Sequence, residues 1–116
     1  MLKRINRLKK RYQFSYVYKQ GTKFYGKTMM LYIHQSKTKN IKVGFAVSKK
    51  IGHAFKRNLI RRRLREIAYS EILNLKQNYN IIIVAKDNIE EFSFADIKSD
   101  FHNLIVKADL LNEKNF

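Results

Sequence analysis

The sequence contains no cysteine, no proline and no tryptophan, only four glycines among 116 residues, and no acidic residue before Glu66. Each absence excludes something. Without Cys there is neither a disulfide framework nor a thiolate metal site, and His34, His53 and His102 have no spacing that suggests zinc ligands. Without Pro, no linker signature divides the chain, and no internal repeat or low-complexity segment is visible, so residues 1–116 read as one domain. No apolar run approaches the roughly 20 residues that span a bilayer, and the basic N-terminus lacks the apolar stretch of a secretory leader. A cytoplasmic protein with no membrane partner is expected.

The missing acid says most about partners. Residues 1–65 hold twenty Lys and Arg and no Asp or Glu, whereas residues 66–116 hold five Lys and nine acids. The net charge of +16 far exceeds what solubility requires, and such self-repulsion is tolerated when a polyanion neutralises it. Nucleic acid is the first partner to consider, and the N-terminal half is the surface that meets it. With 45% hydrophobic and 13% aromatic residues, the chain can build a core and is not a disordered basic tail. Residues 1–11 are the exception: a basic arm with few apolar residues, expected to pack weakly and to be mobile until it meets RNA.

Charge is densest between Ser48 and Glu66, where eight of nineteen residues are Lys or Arg. Ile60, Leu64, Ile67 and Ala68 recur at i, i+4, i+7 and i+8, which lines one side of a helix beginning after Gly52. Lys56 and Arg57 fall in its first turns, and Asn58, Arg61, Arg62 and Arg65 fall opposite or beside the apolar stripe. A solvated helix face mixes signs, because opposite charges at i, i+4 stabilise it. This one has five Arg and no acid before Glu66, so the face is expected to bind phosphates. The helix N-terminus adds its dipole to that charge.

In chain order, Phe14, Val17 and Tyr18 mark a short helix ending near Gly21. Met29–Gln35 alternates as a strand, Ser36–Asn40 is a polar hairpin connection, and Ile41–Ser48 is the next strand, large on one face and small (Gly44, Ala46, Ser48) on the other. Paired so, the strands would stand Tyr32 over a floor of small residues, an open groove. After the basic helix, Ile81–Ala85 is continuously apolar, as suits a central strand covered on both faces. Ser93 and Asp96 cap a last helix whose Phe94, Ile97, Phe101, Leu104, Ile105, Ala108 and Leu111 keep helical spacing. The class is α+β: an α/β sandwich of three helices on about four strands. The charge and the sheet fit a module that binds structured RNA, such as a ribosomal-protein-like domain. A major-groove DNA helix is disfavoured, since no half-site geometry or spaced polar donors are present.

The stretch Val43-Gly-Phe-Ala-Val-Ser-Lys-Lys-Ile-Gly-His-Ala-Phe-Lys-Arg-Asn-Leu-Ile-Arg-Arg-Arg-Leu-Arg-Glu66 closely resembles the signature of the bacterial ribonuclease P protein family, as do Arg7 to Gly21, Leu31-Tyr32 and the Ile-Ile-Ile-Val-Ala-Lys strand. The resemblance covers nearly the whole chain. It implies a four-stranded sheet with a left-handed βαβ crossover, against the usual right-handed rule. It also implies a protein that joins a catalytic RNA to remove the 5′ leader of precursor tRNA, with the RNA and its Mg²⁺ carrying the hydrolysis. The chain itself then has no catalytic residue, binds no metal or cofactor, cleaves nothing alone, and does not take DNA as its partner. By matching position, Lys56, Arg57, Asn58, Arg61, Arg62 and Arg65 meet RNA, while Phe14, Tyr18, Tyr32, Ser48, Lys49 and Lys50 line a cleft for the single-stranded leader. Stacking of splayed bases on aromatic rings fits that cleft. Leu59 stands where the family has Arg, so an Arg at that position is expected to tighten assembly. His53 is expected to be a loop or capping residue.

Overall fold

The uninterrupted apolar run from Ile81 lies where such a run must, between two strands and under cover on both faces. In the computed structural model, which describes residues 3–112, it forms β4 (Tyr79–Ala85) of a four-stranded sheet. The other elements are α1 (Arg11–Gln20), β1 (Thr22–Tyr25), β2 (Met29–Gln35), β3 (Lys42–Ala46), α2 (Ala54–Glu71) and α3 (Phe94–Lys107). Strand order is β1-β2-β4-β3, with β4 antiparallel to β2 and parallel to β3. The expected hairpin between β2 and β3 does not form. Ser36–Asn40 instead joins two strands that β4 separates, because a strand apolar on both faces needs a neighbour on each side. The β3–α2–β4 unit is the parallel crossover.

The sheet has two differently covered faces. On one, Leu31, Ile33, Val43, Ile81 and Ile83 meet Ile60, Leu64, Ile67 and Ala68 of α2 and Ile97, Phe101 and Leu104 of α3 in the main core. The four apolar positions that predict α2 are therefore the four it buries. On the other face Ile82 forms a smaller core with Val17 of α1 and with Leu8. Val17 and Ile82 are both fully buried, and each contributes about 1.5–3 kcal/mol by leaving water.

Polar anchors fix the ends of these elements. Ser93 Oγ accepts the Asp96 N–H at 3.1 Å and starts α3 as expected. Asp100, one turn further on, accepts the Lys27 N–H at 3.2 Å, the Thr28 N–H at 2.8 Å and the Thr28 hydroxyl at 2.6 Å, which pins the β1–β2 turn to α3. At the start of α1, Gln13 Oε1 accepts the Lys9 and Lys10 N–H groups. The basic arm, expected to pack weakly, is tied to the edge of β3. Leu8 N–H donates to Val43 O at 3.0 Å and Asn6 Nδ2 to Ile41 O at 2.7 Å, and the Leu8 side chain is buried. Met1 and Leu2 of the arm lie outside the described residues. Among the described residues no helix is long and apolar enough to cross a membrane.

Candidate nucleic-acid interface

The second face of the sheet carries the aromatic residues. Side-chain alternation along β2 puts Met30, Tyr32 and His34 on this face, and the register sets Tyr32 beside Ile82, with Gly44 on the far side of Ile82 in the same row. Phe14 of α1 lies directly over Gly44: a Cβ there would stand 2.5 Å from Phe14 Cζ and 3.2 Å from Leu8 Cβ. A larger residue at this strand position would have to displace the Phe14 ring, which occupies the space over it. Tyr18, one turn beyond Phe14, meets Tyr32 edge to face with ring centroids 4.7 Å apart, and Phe14 lies 6.4 Å from Tyr18. Burial, with a further contribution from Tyr32, raises the Tyr18 phenol above its ordinary pKa, so it remains a neutral hydroxyl at physiological pH.

The three aromatics expected in a cleft are thus brought together, and each keeps a partly exposed surface. Beyond them the next register row, Tyr25–Met30–Val84–Ala46, is half-buried or exposed and forms the open floor. The small-residue floor expected beside Tyr32 is in part occupied, since Phe14 covers Gly44. Ser48, Lys49 and Lys50 follow β3 past Ala46 and are all exposed. The Ser48 hydroxyl accepts the Lys50 N–H at 3.1 Å and so caps a 3-10 turn, which holds the two lysines at the end of the floor. Sequence reasoning missed Lys23, whose Nζ stands 5.4 Å from the Tyr32 ring centroid. The contact joins β1 to β2, and only the strand register could have shown it.

The basic helix divides its charges between two flanks. Arg61 donates to Asn58 Oδ1 at 3.0 Å, Arg65 Nε donates to Arg61 O at 3.4 Å, and Arg57 is half-buried with its Nε unpaired. These residues follow one side of α2. Arg61 and Arg65, together with Arg7, Lys9, Phe14 and Phe45, line a groove along the β3 edge. Arg62 is exposed between the flanks. Lys56 is on the other flank, paired with Glu90 at 3.4 Å, and is not brought to the groove. Leu59 is there too, half-buried beside Ile60, Ile89 and Ile97. An Arg in its place would start from this flank, away from the β3-edge groove that Arg61 and Arg65 line. His53 precedes α2 and makes no side-chain cap bond.

The Ribonuclease P family profile matches residues 2–109. The chain belongs to the ribonuclease P protein family. The ribonuclease P protein component of Fusobacterium nucleatum is 35% identical over 111 residues, covering 92% of this chain and 100% of that protein. That of Clostridioides difficile is 36% identical over 105 residues, covering 89% and 91%. The solved Staphylococcus aureus RNase P protein superposes with a TM-score of 0.85 at 26% identity, over 92% of this chain and 98% of that one. The ribonuclease P protein partners the ribonuclease P RNA, and the holoenzyme is an endoribonuclease whose RNA is catalytic and which removes the 5′ leader of precursor tRNA.

Proposed function

We propose that this ribonuclease P protein binds its two RNA ligands with two adjoining surfaces. The flank of α2 bearing Arg57, Asn58, Arg61 and Arg65, with Arg62 beside it, holds the catalytic RNA through phosphate contacts. The aromatic cleft of Phe14, Tyr18 and Tyr32 stacks bases of the single-stranded leader of precursor tRNA, and Lys23, Lys49 and Lys50 follow its phosphates. The observation that carries this reading is the juxtaposition at Phe14, whose ring belongs both to the aromatic cluster and to the groove lined by Arg61 and Arg65. A leader lying on the cleft therefore runs beside the RNA that cuts it.

The surface is built for anions and not for a metal ion. No acid precedes Glu66, so its side chains supply cations where Mg²⁺ would need carboxylate oxygens. We assign the Mg²⁺ that supports hydrolysis to the RNA.

The test is leader-length dependence. Tyr32→Ala removes the ring at the centre of the cleft, and one lost stack is worth on the order of 1–3 kcal/mol. Holoenzyme with this variant should bind leader-bearing precursor tRNA more weakly by that amount while binding mature tRNA as before. Equal affinity for both substrates with and without the Tyr32 ring would contradict the cleft assignment.

A further inference from the structure

Helix α1 has two flanks, and only one of them faces the leader cleft. Tyr12 and Tyr16 project one turn apart from the opposite flank and are 66% and 56% exposed. Tyr16 stands edge to face with His34 of β2 at 5.1 Å, which fixes one ring of the pair against the sheet. Lys10 Nζ lies 5.9 Å from the centroid of the Tyr12 ring. His34 and Lys42 share a register row through Asn80, at the end of the sheet away from Lys49 and Lys50. The Ser36–Asn40 loop at the same end adds Lys37 and Lys39. Lys10 is the cation set against this pair, and no acidic residue precedes Glu66 in the sequence.

We propose that Tyr12, Tyr16 and His34 form a second stacking shelf for unpaired RNA, with Lys10 and Lys42 meeting its phosphates. The proposal rests on the ribonuclease P reading and extends the interface beyond the leader cleft. Exposed aromatic faces set among cations are what splayed nucleotides need, because every base has a face to stack and every linkage a charge to neutralise. A protein partner would instead call for a contiguous apolar patch, and lysines are depleted from the centres of such interfaces. The occupant is the precursor-tRNA leader beyond the nucleotides in the cleft, because Tyr16 meets His34, two residues along β2 from Tyr32 and on the same face of the sheet, so the shelf continues the cleft.

The experiment compares the wild-type protein with Tyr12→Ala/Tyr16→Ala and with Tyr32→Ala, all in the reconstituted holoenzyme. Three affinities are measured: precursor tRNA with a short leader, precursor tRNA with a long leader, and the catalytic RNA for the protein. The double variant should lose at least about fivefold on the long leader, the size of one weak stack, with the other two affinities unchanged. A loss confined to the catalytic RNA would overturn the leader as the occupant. Tyr12→Phe/Tyr16→Phe should restore binding, since stacking uses the ring and not the hydroxyl. Full affinity for all three in a double variant that melts like the wild type would overturn the shelf. Tyr32→Ala keeps the readings separate, because loss of leader binding in that variant alone leaves the cleft standing without the shelf.

Discussion

Replacing Asp100 with Ala is expected to lower the stability of the fold by about 3 kcal/mol, the largest effect of any single polar change described above. Its carboxylate accepts three hydrogen bonds from the β1–β2 turn, and Thr28, which supplies two of the donors, is only 1% exposed. Removing the acceptor leaves the Thr28 amide and hydroxyl without their protein partner. That cost exceeds the net gain from an ordinary hydrogen bond. Gly26, in the same turn, has its Cβ position 2.7 Å from Asp100 Oδ2, so the carboxylate fits closely against the backbone it holds. Asp100→Asn keeps one carbonyl acceptor and should recover part of the loss. Urea unfolding is the check, with a lower midpoint and an unchanged slope as the expected result. Because α3 packs on the sheet face opposite the aromatic cleft, RNA affinity measured below the melting transition should not change.

Removing both Arg61 and Arg65 should have the largest effect on function. These two side chains line the β3-edge groove from the side of α2, and each neutralised phosphate contributes about 0.7–0.9 to the slope of log affinity against log salt. The Arg61→Ala/Arg65→Ala protein should therefore bind the catalytic RNA with a slope shallower by about 1.4–1.8. At roughly 0.1 M salt this is a loss on the order of 50-fold. Lys56→Ala provides the contrast. Lys56 carries the same charge on the same helix, but it is paired with Glu90 on the other flank, and its removal should leave the slope nearly unchanged. Equal losses from the two variants would show that the helix binds RNA as a diffuse charge and not through one flank.

Periodicity and charge made much of this architecture legible. The spacing of Ile60, Leu64, Ile67 and Ala68 marked the buried side of α2, and the apolar run from Ile81 marked the central strand. Strand order was not legible in the same way. Alternation tells which residues share a face of β2 or β3 but carries nothing about which strand lies beside which, and β4 arrives later in the chain to separate them. Leu8 illustrates a related gap. It is one apolar residue in a basic run, and its burial depends on backbone pairing with Val43, which no local pattern announces.

The candidate site divides along the same line. Phe14, Tyr18 and Tyr32 could be named from residue type and family pattern because each is aromatic in a basic half-chain. Their mutual contacts, the Lys23 ammonium beside Tyr32 and the pairing of Tyr16 with His34 all depend on register and on where α1 crosses the sheet. The division of α2 into an RNA flank and a flank facing Ile89, Glu90 and Ile97 also needed the tertiary neighbours, because a helical wheel gives angles and not what lies at them. Leu59 therefore reads as a missing arginine in sequence, and only the fold shows that it lines the flank with Ile89 and Ile97.

The most direct test of the account is cleavage of precursor tRNA at low Mg²⁺ by a bacterial ribonuclease P RNA, with and without this protein, alongside the protein alone. Cleavage by RNA and protein together, weakened by Arg61→Ala/Arg65→Ala, is expected, and none by the protein alone. Failure to stimulate the RNA, despite salt-sensitive RNA binding, would contradict it and leave an RNA-binding domain that shares the family's fold without its function.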